Sequence, residues 1–230
     1  MVMIRIQNLS KSYGDFFQLS IPELIIPDRK IVGVVGNNGA GKTTLLRCIL
    51  DLVKVDNGSI FINDFKVNKN DQWKIITGSY LDESFLIDHL TAFEYFRISA
   101  ELYKVPVNIM QERLNSYSNF ISSLDMQHTL IRDLSSGNKK KTGLVSNFIV
   151  QPSLFIFDEP FAGLDPSSRN RLKSILKTLR EKENMTMLIS SHDLDYIYEI
   201  CDEILVLQNG AVSQTLNQKE HNLEDLKKIF

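Results

Sequence analysis

The chain has 230 residues, 43% of them hydrophobic, and a formal net charge of −2 at pH 7. That is enough apolar material for a full core, and too little positive charge to hold nucleic acid by bulk electrostatics. Its two cysteines, Cys48 and Cys201, lie far apart in apolar helical patterns and read as small core residues of a reducing compartment, not as a disulfide or a metal site. No apolar run approaches the ~18 residues that cross a bilayer. The N-terminus enters an alternating strand with no signal-peptide character, so a soluble, cytoplasmic protein is expected.

Residues 3–9 alternate apolar and polar and predict an antiparallel strand. Residues 11–15 read as a turn, and a second strand starts at Phe16. Ile31-Val32-Gly33-Val34-Val35 is short, β-branched and apolar throughout, which predicts a buried parallel strand. The run Gly36-Asn37-Asn38-Gly39-Ala40-Gly41-Lys42-Thr43-Thr44 follows it. Leu45, Leu46, Ile49 and Leu50 then recur at helical spacing.

A strand, a glycine loop and a helix in that order form a phosphate-binding loop. Its glycines let successive N–H groups from Asn37 to Thr44 turn inward on phosphate oxygens. The helix N-terminus adds partial positive charge and Lys42 a full one. Thr43 is placed to give its hydroxyl to Mg²⁺.

After a loop at residues 55–58, Ser59–Ile62 predicts a strand and Asn63-Asp64 a tight turn. An antiparallel layer thus flanks the nucleotide strand. From 88 to about 129 the pattern becomes helical, through Leu90, Phe93, Phe96 and Ile98 and then Ile109, Leu114, Ile121 and Leu124, with Pro106 opening the second helix. Strands at 154–157, 185–190 and 204–207 then alternate with helices at 167–183 and 193–201. Such alternation implies a parallel sheet with right-handed crossovers. Asn209-Gly210 marks a closing hairpin, and residues 219–230 read as a charged amphipathic surface helix.

The strand ending in Phe157 delivers Asp158 and Glu159 at its carboxyl end, where α/β sheets bind ligands. Asp158 suits a Mg²⁺ shell, directly or through water. Glu159 can polarise a water in line with the γ-phosphate. Upstream, Leu134-Ser135-Ser136-Gly137-Asn138 precedes a helix at 139–150, so that a serine hydroxyl, a glycine N–H and a helix N-terminus make an anion site. The basic run Lys139-Lys140-Lys141 reads as that helix's exposed face.

With these motifs the sequence resembles, over essentially its whole length, the nucleotide-binding domain of ATP-binding cassette (ABC) transporters. The family's signature loop is Leu-Ser-Gly-Gly-Gln, and this chain has Ser136 and Asn138 at the third and fifth positions. Ser136 would crowd its neighbours if its φ had to be positive. The resemblance implies an adenine-stacking role for Tyr13, otherwise an ordinary turn tyrosine. It implies that Asp165, in Phe161-Ala162-Gly163-Leu164-Asp165, belongs to a loop crossing between monomers, and that His192 contacts the γ-phosphate. Where the family has glutamine, at the join to the helical subdomain, this chain has Asp82 followed by Glu83; a carboxylate reaches Mg²⁺ or its water but donates no hydrogen bond.

The resemblance implies one domain over 1–230, with a P-loop NTPase core and antiparallel layer at 1–82 and 130–230 and an α-helical subdomain at 83–129. It also implies an ATPase subunit using ATP and Mg²⁺. Such a subunit pairs head to tail with a second copy or a homologue and docks on a separate membrane permease at the cytoplasmic face, with no nucleic acid. The rivals are a non-transport ABC ATPase acting on ribosomes or DNA, and a P-loop kinase. The first commonly carries two cassettes or a long coiled coil, and neither is in this sequence; the second is opposed by the signature loop and Glu159.

Overall fold

The computed structural model describes residues 2–14, 16–122, 125–218, 220 and 223–229. In chain order the elements are β1 (Val2–Tyr13), β2 (Phe17–Pro27), β3 (Ile31–Val35), α1 (Lys42–Ile49), β4 (Asn57–Ile62), β5 (Phe65–Lys66), α2 (Gln72–Ile75) and β6 (Thr77–Tyr80). Next come α3 (Ala92–Leu102), α4 (Val107–Ser116), α5 (Ser136–Val150), β7 (Leu154–Asp158), α6 (Pro166–Glu183) and β8 (Thr186–Ser191). The chain closes with α7 (Leu194–Ile200), β9 (Glu203–Gln208), β10 (Ala211–Asn217) and α8 (Leu223–Lys227).

The strands make two sheets. One runs β2-β1-β4-β5 and is antiparallel; the other runs β10-β9-β3-β8-β7-β6, parallel except for β10. Val35 on β3 stands level with Ser191 on β8, and Asp158 on β7 with Ser190. The central strands therefore end together, and the loops that follow them gather along one edge of the sheet, where open α/β sheets bind ligands.

Both faces of the large sheet are covered, which explains why its strands are apolar without alternation. Val32 and Val34 of β3, with Leu154 and Ile156 of β7, pack into a core shared with α1 and the antiparallel layer. Ile31 and Val35, with Phe155 and Phe157, pack on the opposite face with α5, α6 and α7. At Gly33 a Cβ would lie 2.6 Å from Ile197 Cγ2 and 2.9 Å from Cys201 Sγ, so α7 can approach β3 only over a glycine. Cys48 and Cys201 are buried free thiols. Burial pushes Cys48 up to about 11 and Cys201 well above the usual thiol range, so neither is a reactive thiolate.

The mixed α/β architecture expected from the sequence, a parallel sheet with an antiparallel layer beside it, is the one observed. Several details differ. β1 continues through the expected turn as far as Tyr13, because Lys11, Ser12 and Tyr13 pair with Leu19, Gln18 and Phe17. β6 and α2 were not expected: Thr-Gly-Ser-Tyr has no apolar run, and it forms a strand because β7 offers it an edge. On α3 the buried stripe is Ala92, Phe96 and Ala100, while Ile98 is exposed. That helix starts with a capping box in which Thr91 and Glu94 exchange hydrogen bonds. Leu124 and part of the expected final helix, including His221, lie outside the described residues.

The three lysines of the signature helix are the clearest correction. Lys141 is buried with its ammonium 5.6 Å from the centre of the Phe120 ring, and Lys139 and Lys140 are half-buried. The helix is sandwiched between the sheet on one side and α3 and α4 on the other, so the expected solvent face is covered.

Candidate nucleotide site

The glycine loop leaves β3 and enters α1 through Gly39 (φ +82°) and Gly41 (φ +107°), both in the left-handed region that favours glycine. A Cβ at Gly41 would lie 2.7 Å from the Phe17 ring. No side chain caps α1 at Gly41, so the dipole end of the helix is left to the loop and whatever the loop holds. Lys42, an almost fully buried residue, folds back over the loop: its ammonium donates to the carbonyls of Gly36 at 2.7 Å and Asn37 at 3.4 Å.

Asn37, Asn38, Gly39, Ala40, Gly41, Lys42, Thr43 and Thr44 line one cleft of about 560 Å³, together with Tyr13, Phe16, Phe17, Asp158 and Glu159. That volume suits a nucleotide-sized ligand. Tyr13 is 44% exposed at its rim, 6.4 Å from Phe17 ring to ring. Thr43 Oγ donates to Asp158 Oδ2 at 2.6 Å, which joins the first turn of α1 to the end of β7. Among the described residues no group of three or more His, Cys, Asp or Glu is arranged to hold a metal. A cation here would take one hydroxyl and one carboxylate from the protein and the rest of its oxygens from phosphate and water, which is the habit of Mg²⁺.

Ser190, at the end of β8, was not foreseen. It donates to Asp158 Oδ1, and its hydroxyl and its carbonyl each accept the Glu159 N–H at 3.1 Å. The only sequence signal was a pair of serines closing an otherwise apolar strand. Glu159 itself has φ +46°, and its Oε2 lies 2.9 Å from Nδ1 of His192.

Other expected residues lie elsewhere. Ser135 caps α5, accepting the Asn138 N–H at 3.4 Å, and neither it nor Gly137 lines the cleft of its own chain. Ser136 is the first residue of α5 and its φ is not positive, so the expected crowding does not arise. Its hydroxyl instead donates to Glu83 Oε1 at 2.5 Å. Asp165 caps α6: it accepts from the Ser168 hydroxyl and N–H, which hold its carboxyl below the usual aspartate range. Asp82, read from the sequence as a metal ligand, is also turned to other partners. It accepts the Ser84 N–H at 2.8 Å, stands 3.7 Å from Arg47, and does not line the cleft.

Residues 19–162 match the profile of the ABC transporter family. The chain belongs to that family. This ABC ATPase domain is 33% identical, over 94% of its length, to the sulfate/thiosulfate import ATP-binding protein CysA of Synechocystis, of which it spans 61%. It is 31% identical to the lantibiotic transport ATP-binding protein SrtF of Streptococcus pyogenes, covering 99% of this chain and 96% of that one. In fold it superposes with a TM-score of 0.81 on a dimeric ATP-binding cassette described in a post-hydrolysis state with ADP and Pi; identity is 21%, with 94% and 99% of the two chains covered. No helix among the described residues is long and apolar enough to cross a membrane.

Proposed function

We propose that this chain is the ATP-hydrolysing subunit of an ABC transporter, driving a separate permease through ATP-dependent pairing with a second ATPase subunit. The observation that carries the reading is the 2.6 Å contact between Thr43 and Asp158 beside the Lys42 loop, which puts the hydroxyl and carboxylate suited to Mg²⁺ next to the phosphate cradle. In this reading the N–H groups of residues 37–44 and the Lys42 ammonium bind the β- and γ-phosphates, and Tyr13 stacks on adenine. Thr43 and Asp158 hold Mg²⁺, which when bound neutralises charge on the phosphate oxygens. Glu159 takes a proton from water as the water oxygen attacks the γ-phosphorus and the bond to ADP breaks. His192 holds that carboxylate and faces the γ-phosphate. With Asp82 tied to Ser84 and Arg47, we leave it out of the metal set.

Pairing is supported by the position of Ser135 and Gly137, which lie outside their own chain's cleft: an anion site at the start of α5 serves phosphate only if a second subunit brings it one. Asp165 sits in the loop that would cross between the two subunits. Permease docking is supported by a groove of about 270 Å³ between the core and the helical unit at 83–129, lined by Leu52, Trp73, Tyr80, Phe85 and Tyr103. The Tyr80 hydroxyl is buried there with no hydrogen-bond partner among the described residues. Docking there would hold the subunit at the cytoplasmic face of a membrane.

Calorimetric titration with Mg-ATP tests the core of the proposal. Wild type is expected to bind, and Lys42→Ala to lose at least about tenfold in affinity through loss of charge-assisted phosphate contacts. Equal affinity in the two proteins would overturn the assignment.

A further inference from the structure

Lys140 leaves the second turn of α5 and crosses to the loop after β7. Its ammonium donates to the carbonyl of Glu159 at 2.9 Å and to that of Ala162 at 2.6 Å. The two carbonyls belong to one turn, since the Ala162 N–H also donates to the Glu159 carbonyl, at 3.2 Å. Glu159 at φ +46° occupies a region that a residue with a Cβ keeps only when its surroundings hold it there. Its N–H is held by the hydroxyl and carbonyl of Ser190. Its carbonyl is held from the other side by Lys140.

We propose that Lys140 is a positioning residue for hydrolysis: from the signature helix it clamps the left-handed turn at Glu159 and so aims the Glu159 carboxylate. This rests on the reading of Glu159 as the group that activates water. Burial lowers the pKa of Lys140, and the carboxylates of Glu159, Glu83 and Asp158 pull it back up, so the site offers charge as well as carbonyls to the ammonium. Lys140 does not line the nucleotide cleft, which separates its effect on turnover from any effect on binding. It also joins two half-sites in one chain, because the helix that carries Lys140 is capped by Ser135 and has Gly137 in its first turn.

The test compares Lys140→Met, Lys140→Arg, Glu159→Gln and the double variant Lys140→Met/Glu159→Gln, measuring ATP turnover and calorimetric Mg-ATP affinity. Methionine keeps the length of the stem and removes the donors; arginine restores them. Lys140→Met is expected to lower kcat by about tenfold or more with KM and affinity within about twofold, and Lys140→Arg to recover most of the loss. Added to Glu159→Gln, Lys140→Met is expected to cost nothing further, because a residue acting through Glu159 has nothing left to aim.

Turnover of Lys140→Met at the wild-type rate, a parallel loss of affinity, or the same fold-loss in both backgrounds would each overturn the proposal. Wild-type turnover in Glu159→Gln would instead remove the reading of Glu159 on which it stands. A thermal melt checks folding. Should Lys140→Met fail to fold, Lys140→Gln, a neutral donor on a shorter stem, is read in its place; unfolding of that variant too would make Lys140 a folding element and end the proposal.

Discussion

His192 Nδ1 and Glu159 Oε2 lie 2.9 Å apart, bridging the loops that leave β8 and β7. Together with Ser190 on the Glu159 N–H, this contact orients a carboxylate whose backbone is in the left-handed region. The imidazole side chain is mostly exposed and the carboxylate mostly buried, so the open side of the pair faces solvent on the histidine side.

His192→Ala should therefore lower ATP turnover by roughly a hundredfold, the lower end of what general acid–base groups contribute, while Mg-ATP affinity falls by less than about threefold. Phosphate release measured beside calorimetry decides the matter. Full turnover in His192→Ala would make the pair a surface ion contact with no part in the chemistry.

The bond from Ser136 to Glu83 places a carboxylate beside the anion site at the start of α5. In the proposed pairing a negative charge there would oppose the incoming γ-phosphate of a partner's ATP, weakly, because both residues are exposed or half-exposed and screened. Glu83→Gln should tighten ATP-dependent pairing by about threefold, read as a shift in the ATP concentration at which light scattering reports the dimer. An unchanged or weakened dimer would show that the carboxylate serves as an anchor for Ser136 and nothing more.

Gly143 on α5 faces the Tyr80 ring so closely that a Cβ would lie 2.2 Å from it, with Leu86 Cδ2 at 3.3 Å. Asn147, one turn on, donates to the Ser79 carbonyl at 3.2 Å and keeps the helix seated on β6. Gly143→Ala should destabilise the fold by about 1–3 kcal/mol, the usual cost of overfilling a packed core. Urea unfolding checks this, and a midpoint equal to wild type would mean that β6 yields freely.

How legible the site was depended on whether its chemistry ran along the chain or across it. The loop from Gly36 to Thr44 is contiguous, and its glycines and Lys42 carry their reason in the local backbone. Asp158 and Glu159 could be read because an apolar strand ended on them. Ser190, Lys140 and the approach of Arg47 to Asp82 were not readable, because each depends on an element brought alongside by folding: Ser190 on the parallel pairing of β8 with β7, Lys140 on the packing of α5 over the loop after β7, and the Arg47 contact on α1. The same holds for β6, which is a strand only because β7 lies next to it.

If each active site is shared between two chains, two dead variants should rescue one another. Lys42→Ala disables the phosphate loop. Gly137→Asp puts a negative charge in the anion site at the start of α5, and the nearest atom to a Cβ there is the Gly163 carbonyl at an ordinary 3.5 Å, so charge and not crowding is the lesion. Gly137→Ala, equally tolerated in space, is the control and should stay active. In either pure homodimer both sites are broken. In a mixed dimer one site holds both lesions, while the other pairs an intact phosphate loop with an intact signature loop. With equal mixing and random pairing, half the dimers carry one good site of two, so activity should return to roughly a quarter of wild type if the sites act independently. Formation of mixed dimers is established first, with two distinguishable tags. Mixed dimers that form and stay inactive while wild type turns over would exclude independent shared sites, and full activity of the Gly137→Asp homodimer would remove Gly137 from the site.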